Sequence, residues 1–233
     1  APAEKPLPEG LNQDETHIVT LVRDGVSTPE ELIDRIRSLR AMGVGVFMSC
    51  RPSNRQLIHG LGDSIKVNAQ MLKVHAYEYS AWASAFSIST SLDFYQLTQG
   101  VPELVSAMQS GLYGQGDVAQ MLENEIVNIY GAALVDLASL ENNALFSVAC
   151  LMVLMGEGNI SELEACGVRL SAIDQSYLVR DYPIFGVDPA DRSFTCLGTE
   201  DNARLRLRKL VAEIRPELVL RAARIWIQAG RCD

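Results

Sequence analysis

The sequence predicts an all-α protein, and three observations lead to that class. Capping residues recur just ahead of apolar stretches with 3–4 spacing. Gly, Pro or Asn close those stretches. No alternating apolar–polar run is long enough to demand a sheet. The expected fold is an irregular multi-helix globular one, with roughly eight to ten helices and no fixed repeat period. It divides into a flexible arm at residues 1–15, an N-terminal helical lobe at 16–100 and a C-terminal helical lobe at 101–233.

The arm carries Pro2, Pro6 and Pro8, few apolar residues and no periodicity. His17 to Val22 reads as a short strand of brief alternation. The first firm helix starts at Thr28, an N-cap followed by Pro29 at the first helical position and Glu31 completing a capping box. Leu32, Ile33, Ile36 and Leu39 make its apolar stripe, and Gly43 ends it. Ser53 caps a short helix closed by Gly60, and Asp63 caps another through Lys73. Ala76 to Leu97 reads as an aromatic-rich helix, and Pro102 opens one that Gly111 stops.

From Asp117 to Leu140 the 3–4 spacing of Val118, Leu122, Ile126, Ile129, Ala133 and Leu137 defines an amphipathic helix. Asn142 to Met155 is apolar nearly all round, which places it at the centre of the core. It is too short to cross a bilayer, and no membrane partner is expected. Pro183, Gly186, Pro189 and Gly198 make 182–198 an irregular connection, after which helices at about 199–214 and 216–229 follow.

Charge is sorted along the 233 residues. Between His75 and Val168 there is no Lys or Arg, yet that stretch holds eleven acids. His17 to Lys73 carries eight basic residues against five acids, and Asp201 to Asp233 carries eight against four. The net −9 therefore hides two basic flanks around an acidic middle, a pattern that speaks to partners rather than fold. Five cysteines without C-x-x-C spacing point to reduced thiols and a cytoplasmic setting.

Catalytic, metal and cofactor sites find no support. His17, His59 and His75 lack ligand spacing, and His75 with Glu78 reads as an exposed helical contact. There is no G-x-S-x-G elbow. Gly111, Gly114 and Gly116 lead into Asp117, whose charge repels phosphate. Glu123 and Glu125 point to different sides of a helix. Asn159-Ile160-Ser161 matches a glycosylation sequon, but Asn159 reads better as a helix cap.

Two features remain. Six of the fifteen aromatics fall between Tyr77 and Tyr95, just after Lys66, Lys73 and His75. Rings beside cations suit single-stranded nucleic acid, because rings stack on bases while cations hold phosphates. Tyr79, Trp82 and Phe86 have buried-stripe spacing, which leaves Tyr77 as the exposed ring. Near the end, Arg204 and Arg208 share a helix face with Lys209 adjacent, opposite Leu207, Leu210, Val211 and Ile214. Two readings compete for this basic face: a solvated surface or salt bridges to the acidic middle, and phosphate binding through the planar fork of arginine.

The role ranked first is a non-enzymatic assembly protein that packages single-stranded RNA, in the manner of a viral nucleoprotein or capsid coat. Arg51, Arg55, Lys66 and Lys73 would face Arg204, Arg208 and Lys209 across a cleft between lobes, with Tyr77 also binding the RNA. The alternative is a helical interaction or adaptor protein that self-assembles through acidic and basic faces. An enzyme built from scattered residues comes third. Self-association through the arm is expected in the first reading.

Overall fold

The computed structural model describes residues 18–22, 28–54, 60–62, 65–78, 91–113, 117–140, 143–198, 201–228 and 230. These are mostly helical, with little sheet. The chain divides into two compact units, Ala1–Lys66 and Val67–Asp233, where the sequence suggested a boundary after residue 100.

In the first unit, strand β1 (Ile18–Val22), helix α1 (Pro29–Ala41) and strand β2 (Gly45–Ser49) form a crossover. The capping box forms: Glu31 N donates to Thr28 Oγ1 at 3.2 Å, and Thr28 N to Glu31 Oε2 at 2.8 Å. Helix α1 buries Leu32, Ile36 and Leu39, matching the expected stripe. Gly43, at φ +78°, turns the chain into β2, which pairs in parallel with β1 from Ile18 opposite Gly45 to Val22 opposite Ser49.

The helix expected from Asp63 through Lys73 does not form as such. Residues 65–68 have no regular structure, and a single 3-10 turn at Ala69–Leu72 follows, capped by Asn68. Residues 55–59 and 79–90, and with them the stripe of Tyr79, Trp82 and Phe86, lie outside the described residues. So does the arm.

The second unit is built around one helix. It contains α2 (Ser91–Thr98), α3 (Pro102–Tyr113), α4 (Val118–Ala138) and α5 (Asn143–Met155). Strand β3 (Glu157–Asn159), α6 (Ile160–Ala165) and α7 (Ala172–Asp181) follow. Strands β4 (Phe185–Asp188) and β5 (Ser193–Cys196) lead to α8 (Asp201–Ile214) and α9 (Pro216–Gln228). Every residue from Leu145 to Met155 is buried, as an all-round apolar helix requires. Helices α4, α8 and α9 and strand β5 pack on it. Each fully buried Leu there stabilises the fold by about 1.5–3 kcal/mol.

Residues 182–198 are more regular than their Pro and Gly content suggested. Strands β4 and β5 form an antiparallel hairpin turned through Arg192 at φ +53°, and β3 adds on the far side of β5. Burial of Phe185, Phe194 and Cys196 outweighs the turn residues around them. Tyr130 of α4 pins this segment from below: its hydroxyl lies 2.9 Å from the Leu197 carbonyl oxygen and 3.1 Å from that of Ile184. One turn and a half along α4, the buried carboxylate of Asp136 accepts a 2.6 Å hydrogen bond from the Tyr182 hydroxyl. Burial first, and then that carboxylate, push the Tyr182 phenol well above its ordinary pKa.

Candidate functional site

The last carbonyls of any α-helix lack intrahelical donors, and those of α5 sit at the centre of a dry core. No Lys or Arg occurs between His75 and Val168, so the cations that cap this end must come from elsewhere in the chain. They come from α8. Arg204 Nη2 donates to the Met155 carbonyl at 2.7 Å, and Arg208 Nε to the Leu154 carbonyl at 2.9 Å. Gly156 makes room for them. It sits at φ +79°, and a Cβ there would fall 3.0–3.3 Å from the Arg204 guanidinium.

This places Arg204 and Arg208 differently from the outer-face reading. The buried side of α8 is Ala203, Leu207 and Val211, while Leu205 and Ile214 are exposed. Arg204 and Arg208 occupy the shoulder of that buried side and are half-buried. Arg208 also lies over the Trp226 ring of α9, 5.0 Å from its centroid. Lys209 is exposed on the outer side of the same helix.

The pair lacks carboxylate partners among the described residues, as Arg206, Arg221 and Arg224 also do. Arg37, Arg180, Arg192 and Arg215 each pair with a carboxylate, of Asp34, Asp181, Glu164 and Glu217 respectively. Among the described residues no carboxylate lies within ion-pair distance of Arg204 or Arg208. A helix C-terminus supplies about half a negative charge against their two positive ones, which leaves the site markedly cationic. Burial, and then the neighbouring Arg204 charge, pull the Arg208 pKa below its ordinary value. Arg204 Nε is buried and has no hydrogen-bond partner among the described residues. The arrangement is two guanidiniums held by backbone carbonyls, a donor set whose planar forks suit an anion.

Of the remaining expected site residues, Arg51 and Lys66 are exposed in the first unit, and Arg55 lies outside the described residues. Lys73 and Tyr77 belong to the second unit with the arginine pair. Lys73 is half-buried, and burial lowers its pKa. Tyr77 is 74% exposed and lies parallel to the His75 ring, with centroids 5.5 Å apart and planes 6° from each other. His75 therefore matters as a stacking ring. Its backbone N–H, rather than its ring, is what meets Glu78, at 2.8 Å from Oε2.

Sequence reasoning missed Gly156, Trp226 and the carbonyl partners. One signal was present: an apolar helix ending in Gly with no cation nearby in sequence. Among the described residues no group of three potential metal ligands occurs, and no helix is long and apolar enough to cross a membrane. Comparison with known protein families, with curated proteins and with solved structures found no match to this chain.

Proposed function

We propose that this chain is a non-enzymatic assembly protein that binds and packages single-stranded RNA, as a viral nucleoprotein or coat does, with Arg204, Arg208 and Lys209 taking phosphates. The observation that carries this reading is the pair of half-buried guanidiniums, held rigid by the α5 carbonyls and answered by no carboxylate among the described residues. Arginines fixed in this way bind a phosphate oxygen with little further loss of side-chain entropy. The exposed His75–Tyr77 ring pair supports the same reading, because stacked rings accept bases without regard to sequence. The free thiols of Cys150, Cys166 and Cys196 fit a reducing cytoplasmic compartment.

Three cations answering about three phosphates give a salt slope near −2 for single-stranded RNA. The test is fluorescence anisotropy of labelled oligouridine titrated with the full chain over a KCl series. Lys209→Glu should weaken binding and flatten the slope, since Lys209 is exposed and removable without harm to the core. Tyr77→Ala should cost about 1–3 kcal/mol of binding and leave the slope unchanged, because stacking displaces no counterions. If the wild-type chain binds no RNA, or binds it independently of salt, the interaction or adaptor reading replaces this one.

A further inference from the structure

Helix α9 presents an outer face with no partner among the described residues of its own unit. Its inner residues Leu218 and Ala222 are buried on the core. On the opposite side Leu220 and Ile227 are 67% and 68% exposed, and Arg224 stands between them one turn from each. Two large aliphatic side chains at i and i+7 with a cation at i+4 make a ridge that water solvates poorly.

A groove of the opposite character opens between α3 and α4. Its volume is about 670 Å³, and Glu103, Ser106, Ala107, Met121, Asn124 and Glu125 line it. It offers apolar floor at Ala107 and Met121, with carboxylates at Glu103 and Glu125 and no cation in the lining. Arg206 donates to Asn124, one of the lining residues, at 2.7 Å.

We infer that the α3–α4 groove receives the outer ridge of α9 from a second copy of this chain, so that copies associate head to tail. Charge decides the occupant. RNA is repelled by the two carboxylates. The arm at residues 1–15 carries Glu4, Glu9, Asp14 and Glu15 against Lys5, and is repelled as well. A chain's own α9 cannot turn its outer face inward, because Leu218 and Ala222 are committed to the core. The ridge of a neighbour brings Arg224 to the carboxylates and Leu220 and Ile227 to the apolar floor. The two surfaces differ, so the interface is heterologous, and each added copy leaves one free groove and one free ridge. This surface is separate from Arg204, Arg208 and Lys209 and does not depend on the RNA reading.

Sedimentation of the full chain, freed of nucleic acid by nuclease and a high-salt wash, tests the inference. Mass should grow with concentration for the wild type. Glu103→Lys with Glu125→Lys, and separately Leu220→Glu with Arg224→Glu, should each weaken association by about tenfold or more, since like charges then meet. An equimolar mixture of these two variants should associate again, because each retains one intact surface and the exchanged charges on the other two surfaces are complementary. Combining Glu103→Lys, Glu125→Lys and Arg224→Glu in one chain should recover assembly. Thermal melts matching wild type establish that the variants fold. A wild type that stays monomeric, folded variants that assemble as the wild type does, or a mixture that fails to associate would each overturn the inference. RNA binding by the same samples is read separately.

Discussion

Helices α8 and α9 are consecutive and similar in length, with three arginines in the first and two in the second, yet they use that charge in opposite ways. On α8 Arg204 and Arg208 turn inward and finish the hydrogen bonding of α5, while exposed Arg206 reaches Asn124 of α4 across the surface. On α9 only Arg221 bonds inward, at 3.2 Å to the Cys166 carbonyl that ends α6, and Arg224 is fully outward beside bare Leu220 and Ile227. The difference follows from what each helix meets. Buried carbonyls demand donors, and an arginine at the shoulder of a buried face supplies them while its stem packs. An arginine opposite the buried face finds only solvent or another molecule. Composition alone does not distinguish the two cases.

The comparison breaks most completely if the shared floor is removed. Leu151→Ala in α5 should cost about 2–5 kcal/mol in chemical denaturation and loosen both helices together, since both pack on α5. A loss below about 1 kcal/mol would mean that α5 is not the common support. Next comes Arg208→Ala. It strips a buried carbonyl of its donor and should destabilise by about 1–3 kcal/mol, measured by the same melts. For that reason, replacing Arg204, Arg208 and Lys209 together by Ala does not leave folding intact, contrary to what an outer-face placement predicts.

A smaller effect separates the helices thiol by thiol. Burial pushes Cys196 and Cys150 up to about 12 from an ordinary value near 9.0. Both stay protonated in the folded state while the unfolded chain loses those protons, so stability should fall as pH rises from about 9 towards 12. Substituting either Cys by Ala should flatten that alkaline limb in pH-dependent denaturation. Labelling by a thiol reagent at mildly alkaline pH sharpens the contrast further. Arg208→Ala should speed modification of Cys196, behind α8, and leave Cys166, behind α9, at its wild-type rate. Smallest of all, Arg224→Ala should change stability by less than about 0.5 kcal/mol, as for other exposed positions.

Much of the fold was legible from local signals. The capping box at Thr28, the 3–4 stripe of α4 and the all-round apolar character of α5 each specify an element within one short window, and each formed as read. The α8 arginines were legible as a cluster but not in direction, because their partners lie 49 and 54 residues away. Local periodicity carries no information over that separation. The hairpin of β4 and β5 was missed for a related reason. Its four-residue strands are held by Tyr130 from another helix, and their own Pro and Gly residues advertise only turns. The Asp136–Tyr182 contact, 46 residues apart, was likewise invisible.

The burial of α5 has a consequence during synthesis. A ribosome releases this chain from its N-terminus, so α5 emerges well before α8 and α9, the helices that cover two of its sides. For that interval the most apolar segment of the protein faces open water where α8 and α9 will lie, with the carbonyls of Leu154 and Met155 unmet. Nascent chains with α5 outside the exit tunnel and α8 and α9 still within it should therefore be sticky clients of chaperones, and chains with α9 also released should not. The arginines that finish the fold arrive after the helix whose carbonyls they meet.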